Sequence, residues 1–276
     1  MKLKLGLFVF FVLNFQFLFA QNTPFYVPKL GLELWCPLNN GVAGDSSGNM
    51  RHGVLSRISN VAGRYGCFNS ALNFRGTGDS LGFHHGPSLA SNQFTISMWS
   101  NVSALDTNTH SLIAWNDSLG GFQLGVKNNQ LFFDFNKVSN QVTSSFNYLN
   151  YNLGLNKQWH HYVLCITTGT ARIYVDSVLV GSITGFININ PVNNIYFANS
   201  LYGEALDAAI EDIGWWSRVL TKSEIDALYY NQPITASVRF HKPLCGSSLG
   251  SVKVLVAGNG AQNFNVTWLQ LGQYGV

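Results

Sequence analysis

Short stretches in which apolar and polar residues alternate run through most of the chain, from residue 30 to 219, and they constrain its fold more than any other feature. In "FTISMWSNV" (94–102), Phe94, Ile96 and Met98 share one face. A period of two is typical of strands with one face in a core. Further stretches of this kind follow one another as a meander: "WHHYVLCITT" (159–168), "ARIYVD" (171–176) and "VLVGSI" (178–183). Short, evenly spaced strands predict an all-β, two-sheet antiparallel sandwich.

One stretch departs from this pattern and predicts a short helix over residues 222–230. Thr221 is a natural N-cap, and Glu224 follows three residues later, which is the spacing of a capping box. Pro233 prevents the helix from continuing. One apolar face is formed by Ile225, Leu228 and Tyr229.

The first twenty residues, "MKLKLGLFVFFVLNFQFLFA", have the layout of a secretory signal peptide. Two lysines precede an apolar run, and the small residue Ala20 ends it, so cleavage after Ala20 is predicted. A membrane anchor is the alternative, but Asn14 and Gln16 interrupt the run, which falls short of the ~20 residues that a spanning helix needs. The sequence therefore predicts a mature chain that is secreted or held at the cell surface, without membrane insertion.

The charge of the predicted mature chain is close to zero. The full sequence has 16 Lys and Arg, and removing Lys2 and Lys4 leaves 14 against 13 Asp and Glu. Basic residues are not clustered, which argues against nucleic acids and anionic membranes as partners.

Four cysteines allow three complete pairings, and the sequence alone does not select one. Cys36 and Cys67 each adjoin a candidate early strand, so we predict a disulfide between them. Cys165 lies within a strand-like stretch and is predicted to be a buried thiol. Neither Cys165 nor Cys245 is assigned a partner.

The predicted domain order is a signal peptide (1–20), an N-terminal linker (21–29), a sandwich domain (30–233) and a C-terminal segment (234–276). In that last segment a linker precedes a new alternating pattern, which predicts a small, partial β-repeat, immunoglobulin-like or of another kind.

Several motifs occur in the order typical of one known family: "LELWCPLNN", "DSSGNMRHG", "SALNFRGTGDSLGF" and the closing "AIEDIGWWSRVLTKSEIDALY". Residues 30–233 thereby resemble the laminin-G-like (LamG-like) branch of the concanavalin A-like lectin/glucanase superfamily. The resemblance implies a jelly-roll sandwich. Asp176-Ser177 stands where this family usually has Asp-Gly. The C-terminal segment more faintly resembles the SprB-type repeats of gliding-bacteria adhesins, through Cys245, Gly250 and "FNVTW".

The resemblance also implies that the "DSSGN" loop and the acidic start of the last strand approach each other and hold a calcium ion. Calcium prefers oxygen ligands. The implied set is Asp45 and Asn49 with Glu211 or Asp212. The alternative is that Asp45 and Ser47 make turn hydrogen bonds while Glu211 faces solvent.

Aromatic residues outside the clear core pattern are candidate sugar platforms, because a flat ring stacks on the apolar face of a pyranose. The candidates are Trp115, Tyr148, Tyr151 and Tyr202. The alternative for each of them is packing of a loop against the rim of the sandwich.

No catalytic residue is predicted. "EID" (224–226) is a tripeptide that laminarinase-type glucanases carry on a strand with a second Glu nearby, but here it lies in the predicted helix and no acid follows in "ALYYNQP". The neighbours Glu211 and Asp212 are predicted to point to opposite faces of a strand. The pair His160-His161 cannot grip one metal for the same reason.

The leading hypothesis is therefore a non-catalytic binding module that recognises carbohydrate or a protein partner at a loop edge, with calcium assisting. A structural spacer or adhesin segment of a longer surface protein is the second hypothesis, and a polysaccharide-degrading enzyme is the third.

Overall fold

The structure, a computed structural model, describes residues 23–76, 78–83, 93–103, 107–117, 120–135, 147–152, 158–184, 195–199, 205–230, 235–241 and 251–257. Within these ranges, side chains are not described at 116–117, 120, 135, 147–148, 150–152, 235–241 and 251–257.

The described part of the chain forms seventeen strands and one α-helix, numbered here in chain order. The strands are β1 (Leu32–Cys36), β2 (Val54–Ser56), β3 (Ser59–Val61), β4 (Ala71–Arg75), β5 (Ser80–Phe83), β6 (Phe94–Val102), β7 (His110–Asp117), β8 (Gly120–Lys127), β9 (Gln130–Phe135), β10 (Asn147–Asn152), β11 (Trp159–Thr167), β12 (Thr170–Val175), β13 (Val178–Thr184), β14 (Ile195–Phe197), β15 (Asp207–Trp216), β16 (Thr235–His241) and β17 (Ser251–Ala257). Helix α1 spans Lys222–Tyr230.

Two antiparallel sheets form the sandwich. The eight-stranded sheet has the order β13-β12-β11-β6-β15-β4-β3, with β1 paired to β15, and the seven-stranded sheet has the order β10-β9-β8-β7-β14-β5-β2. Strands that are distant in sequence are neighbours in both sheets, as in a jelly roll. The predicted all-β, two-sheet antiparallel sandwich with one short C-terminal helix is confirmed.

Alternation along β6 shows why the two layers pack. Phe94, Ile96 and Met98 belong to the core between the sheets, whereas Thr95 and Trp99 lie on the outer face of the eight-stranded sheet. Both sheets contribute large side chains to this core, which excludes water and supplies most of the favourable free energy of folding. The largest of these buried residues are Phe74, Phe94, Trp115, Phe122, Phe133, Tyr162, Phe197 and Trp215.

A second, smaller core covers part of the outer face of the eight-stranded sheet. Helix α1 contributes Ile225 and Leu228, and the N-terminal strap (residues 23–31) contributes Tyr26 and Val27. The strap is also tied by hydrogen bonds, because Trp216 Nε1 donates to the Pro28 carbonyl over 2.7 Å. Residues 23–29, predicted as a linker, thus pack against the sandwich.

The predicted Cys36–Cys67 disulfide is wrong. Cys36 points from β1 into the core and is fully buried, whereas Cys67 is exposed in the loop before β4, and both are free thiols. The prediction used only the position of both cysteines next to early strands. It could not tell that one side chain enters the core and the other faces solvent. The prediction for Cys165 is confirmed, since it is a buried free thiol of β11. Cys245 lies outside the described residues.

The β12–β13 turn shows how the chain accommodates Ser177 where Gly is usual. Asp176 and Ser177 both have positive φ, 49° and 69°, as a type I′ hairpin turn requires. This conformation is costly for a residue with a Cβ. The Ser177 hydroxyl donates to Asp226 of α1 and accepts from Lys222 Nζ over 3.1 Å, so the strained turn is fastened to the helix.

Strands β16 and β17 lie within the predicted C-terminal module and pair antiparallel from Thr235–Ala257 to His241–Ser251. The remaining residues of that module lie outside the described ones, so its resemblance to an adhesin repeat stays a prediction. Within the described ranges, the structure has no helix of the length and apolar character needed to span a bilayer.

Candidate functional site

A β-bulge brings the two neighbouring acids of β15 to the same side of the sheet. Glu211 pairs with Trp99 and Gly214 with Ser97, so three steps along β15 match two along β6. The extra residue is Asp212, which has a φ of 52°. The prediction that Glu211 and Asp212 point to opposite faces is therefore wrong, because strict alternation fails at a bulge.

Both acids bind one arginine. Arg64 Nη1 donates to Glu211 Oε1, and Arg64 Nη2 lies 2.8 Å from Asp212 Oδ2. The guanidinium also lies over the rings of Tyr65 and Trp99, at 4.7 and 4.6 Å from their centroids. We call these five residues, Arg64, Tyr65, Trp99, Glu211 and Asp212, the Arg64 cluster.

Gly63 makes room for this arrangement. A methyl group at Gly63 would overlap with Glu211 Oε2 and with the Ser70 hydroxyl. The carboxylate can therefore approach the backbone, where the Arg64 amide donates to Glu211 Oε2 over 3.3 Å. Burial is the largest effect on Glu211 and raises its pKa above the usual range. The positive charge of Arg64 opposes this shift, and the negative charge of Asp212 adds to it.

The two histidines of β11 each have a structural partner. His161 is fully buried, its Nε2 lies 2.7 Å from the Ser97 hydroxyl, and its ring stacks on Trp99 at 5.1 Å. Burial, with a smaller contribution from Arg64, lowers the pKa of His161 to about 3, so the ring is neutral. His160 Nδ1 lies 2.6 Å from Asp176 Oδ2.

The four predicted calcium ligands each have other partners in this arrangement. Asp45 accepts hydrogen bonds from the backbone amides of Trp35, Ser47 and Arg51, while Asn49 donates to the Leu32 and Glu33 carbonyls. Glu211 and Asp212 bind Arg64. Among the described residues, no three His, Cys, Asp or Glu side chains are grouped as a metal site. The donor set does not form one ligand shell here, and calcium binding stays a prediction.

Of the predicted sugar platforms, Trp115 is placed in the core and is only 1% exposed. Its ring lies 5.3 Å from that of Trp215 and 6.0 Å from that of Phe122. Trp115 therefore cannot stack on a sugar, because β7 continues through its position and turns this side chain inward. The side chains of Tyr148 and Tyr151, in β10, and all of Tyr202 lie outside the described part of the structure.

Glu224 caps helix α1, as predicted. The Thr221 amide donates to Glu224 Oε2 over 2.8 Å, and the Glu224 amide donates to the Thr221 hydroxyl over 3.3 Å. Both Glu224 oxygens also accept hydrogen bonds from Arg218. These contacts, with the Arg218 side-chain bond the largest influence, lower the pKa of Glu224 to about 2. "EID" therefore belongs to a helix cap.

A partly exposed aromatic residue that the sequence reasoning missed lies on the outer face of the seven-stranded sheet. Tyr196 of β14 pairs with Gly82 on one side and with Ala114 on the other. A Cβ at Gly82 would lie 3.4 Å from Tyr196 Cε1, so the ring lies over the glycine. Tyr196 stands between the inward-facing Ile195 and Phe197, and the period of two in "IYF" is the signal that would have found it.

Tyr196 belongs to a row of cross-strand neighbours. On one side, beyond Gly82, the row ends at the exposed Val54, and on the other, beyond Ala114, it reaches the buried Gln123 and Asp134. We call these six residues, Val54, Gly82, Tyr196, Ala114, Gln123 and Asp134, the Tyr196 row. A planar aromatic ring between small residues is suited to contact the flat face of a sugar.

Comparison with protein families gives one match, to the family described as the concanavalin A-like lectin/glucanases superfamily, over residues 75–226. A search of curated protein sequences gave no match.

Solved structures with the same fold include three different kinds of protein. Domain 4 of AbnA, a GH43 extracellular arabinanase from Geobacillus stearothermophilus, in complex with arabinotriose, is 19% identical, with a TM-score of 0.58 over 72% of this chain and 98% of that domain. The receptor-binding domain of botulinum neurotoxin C/D mosaic serotype is 14% identical, with a TM-score of 0.57 over 72% of this chain and 51% of that domain. Trypanosoma rangeli sialidase is 18% identical, with a TM-score of 0.56 over 74% of this chain and 33% of the sialidase chain. The chain thus spans about half of the neurotoxin domain, and at these identities the likeness shows the fold alone.

Proposed function

The chain belongs to the concanavalin A-like lectin/glucanase superfamily, and from this we propose that it is an exported carbohydrate-binding module without catalytic activity. The observation that carries the proposal is Tyr196, a partly exposed ring that lies over Gly82 on a sheet face. The similar arabinanase domain, covered over 98% of its length, supports the proposal because its structure contains arabinotriose.

The partners of the acidic residues support a binding role over a hydrolytic one. A glycosidase needs two carboxyl groups that face a substrate, with one able to donate a proton. Of the adjacent carboxylates, Glu211 is buried and Asp212 is half-buried, and both bind Arg64. Other described acids have structural ion pairs, including Glu33–Arg51, Asp79–Arg75, Glu224–Arg218 and Asp226–Lys222.

A binding screen tests this function. The chain from Gln21 should bind at least one member of a panel of neutral polysaccharides, including arabinan, laminarin and xylan. The Tyr196→Ala variant should bind that polysaccharide about tenfold more weakly, because the stacked ring is lost. Tyr230→Ala is the matched control, since Tyr230 is an exposed tyrosine on α1. Release of reducing ends by the purified chain would contradict the non-catalytic part of the proposal, and binding to no member of the panel would contradict the proposal itself.

Calcium dependence is a separate part of the proposal, and the same screen tests it. If the ion predicted at Asp45 and Glu211 shapes the binding surface, chelation should weaken polysaccharide binding and Asp45→Ala should have the same effect. Equal affinities for the polysaccharide with chelator and with added calcium would show that calcium has no role in binding.

The second candidate function is a spacer or adhesin segment of a longer surface protein. It is favoured by β16 and β17, a further strand pair that follows the sandwich. This role requires no ligand, so it becomes the better explanation if the purified chain binds no glycan.

A further inference from the structure

A second row of polar and aromatic residues crosses the outer face of the eight-stranded sheet. Trp159 of β11 pairs with Asn101 of β6, which pairs with Ala209 of β15. Ala209 pairs with Asn73 of β4, and Asn73 with Ser59 of β3. We call these five residues, Trp159, Asn101, Ala209, Asn73 and Ser59, the Trp159 row.

The Trp159 row lies outside the part of this face that the strap and α1 cover. Its five residues are all partly or fully exposed. Two residues along each strand from this row, on the same face, β6 and β11 carry Trp99 and His161, which are buried. The Arg64 cluster therefore borders the row on one side. On the other side it is bordered by Asp207 and Arg75, which pair across β15 and β4.

The amides of this row are not part of the internal hydrogen-bond network. Asn49 and Asn199 each donate to backbone carbonyls. Asn73 and Asn101, by contrast, make no side-chain hydrogen bond within the described part of the chain, and Asn101 Oδ1 is buried without a donor there. Rotation about χ2 exchanges the Oδ1 and Nδ2 positions of an asparagine, so each amide can offer either a donor or an acceptor to a ligand.

The chemistry of the row indicates its ligand. It contains one indole, two amides, one hydroxyl and no charged group, and Ala209 leaves room between Asn101 and Asn73. The five strands are spaced ~4.8 Å apart, which gives a length of ~19 Å. The strand spacing is comparable with the length of one pyranose unit, so successive side chains can contact successive sugars. Protein–protein interfaces are enriched in aromatic residues, Met and Arg, whereas this row has a single aromatic residue and neither Met nor Arg.

We propose that the Trp159 row is a second carbohydrate-binding surface for a neutral glycan chain, so that one domain binds two chains on opposite faces. This inference rests on the proposed function and goes beyond it. In it, Trp159 stacks on one sugar ring while Asn101 and Asn73 bond hydroxyl groups further along the chain. A domain with two such faces cross-links a soluble polysaccharide.

Chemical labelling tests the surface directly. N-bromosuccinimide oxidises accessible indoles, and Trp35, Trp99, Trp115, Trp215 and Trp216 are buried. In a Trp268→Phe variant of the chain from Gln21, Trp159 should be the indole that is oxidised first, as located by peptide mass spectrometry. The best-binding neutral polysaccharide of the panel should slow this oxidation at least severalfold, whereas polygalacturonate should not. Equal oxidation rates with and without that polysaccharide would overturn the proposal.

Binding measurements separate this surface from the Tyr196 row. Trp159→Ala and Asn73→Ala should each abolish cross-linking of the polysaccharide and halve the number of oligosaccharides bound per chain. Phe25→Ala, which removes an exposed aromatic residue from the strap, should change neither value. Trp159→Tyr should retain most of the binding, because a platform remains.

The possible outcomes are distinct. If Trp159→Ala and Asn73→Ala, both folded by circular dichroism, bind with the stoichiometry of the unsubstituted chain while Tyr196→Ala loses binding, the Trp159 row is overturned and the proposed function stands. If only the Trp159 row variants lose binding, the row stands as the binding surface and the Tyr196 row is not one. If the unsubstituted chain binds no glycan, the proposed function fails and this inference fails with it.

Discussion

At the scale of single residues, the Arg64 cluster shows what a sequence pattern leaves out. Arg64 and Glu211 are 147 positions apart, and their contact depends on Gly63 and on the bulge at Asp212. Alternation gave no sign of the bulge, and Glu211, which the alternative to calcium binding left facing solvent, is buried against Arg64.

Arg64→Met should be strongly destabilising, because it leaves the buried Glu211 and the half-buried Asp212 without a cation. Breaking a buried ion pair in this way costs about 3–5 kcal/mol of the free energy of unfolding. Arg51→Met is the matched control: its pair with Glu33 is partly exposed and should be worth ~1 kcal/mol or less. Urea unfolding measures both changes. Equal losses in the two variants would show that burial of the Arg64 cluster has no special weight.

His161 should make the fold sensitive to acid. Its pKa is about 3 in the folded chain, against 6.5 for an ordinary histidine. Below pH 6.5, His161 is therefore protonated in the unfolded chain but stays neutral in the folded chain. The resulting stability is complete above pH 6.5 and is lost as the pH falls towards 3, by on the order of 4 kcal/mol in all.

The contribution of His161 is measured by comparing the pH dependence of the free energy of unfolding between the unsubstituted chain and a variant at position 161. The raised pKa of Glu211 acts in the opposite direction, since its contribution is lost as the pH rises. A His161→Gln variant retains Glu211 but cannot titrate at position 161. Its free energy of unfolding should fall less steeply than that of the unsubstituted chain between pH 6.5 and 4, and parallel curves would contradict the assignment.

At the scale of elements, helix α1 was the most predictable part of the molecule. A capping box is a local device, and the Thr221–Glu224 spacing revealed it from the sequence. Two features of this helix were not predictable. Arg218 adds an ion pair to the cap, and Lys222 with Asp226 holds the strained β12–β13 turn, because both contacts depend on how the helix folds back over the sheet.

Glu224→Ala should cost about 1–2 kcal/mol of stability and leave glycan binding unchanged. The Ala variant loses both the bond to the Thr221 amide and the ion pair with Arg218, whereas Glu224→Gln can keep the first. Thermal unfolding should therefore place Glu224→Gln between the Ala variant and the unsubstituted chain. A fall in affinity for the polysaccharide in a folded Glu224→Ala variant would give the "EID" tripeptide a role beyond the cap.

At the scale of the whole molecule, the two layers follow from the period of two, but the coverings of their outer faces do not. Alternation indicates which residues face a core and cannot distinguish an exposed outer face from one that a strap covers. For this reason the strap was predicted as a linker, and Tyr196 and Trp159 were missed as partly exposed residues on opposite sheets. Trp115 was misplaced for the related reason that its strand was not recognised.

The strap gives a test of how far the fold depends on its N-terminal residues. A chain that begins at Lys29 lacks Tyr26 and Val27, which are buried, and the Pro28 carbonyl that binds Trp216. Loss of that burial should lower the free energy of unfolding by about 3–5 kcal/mol relative to the chain from Gln21. Exposure of Trp216 to water should also shift tryptophan emission to longer wavelength. Phe25→Ala controls for a change in the strap that removes no buried surface. If the shortened chain matches the longer one in stability and emission, the strap only lies on the sandwich and does not complete its second core.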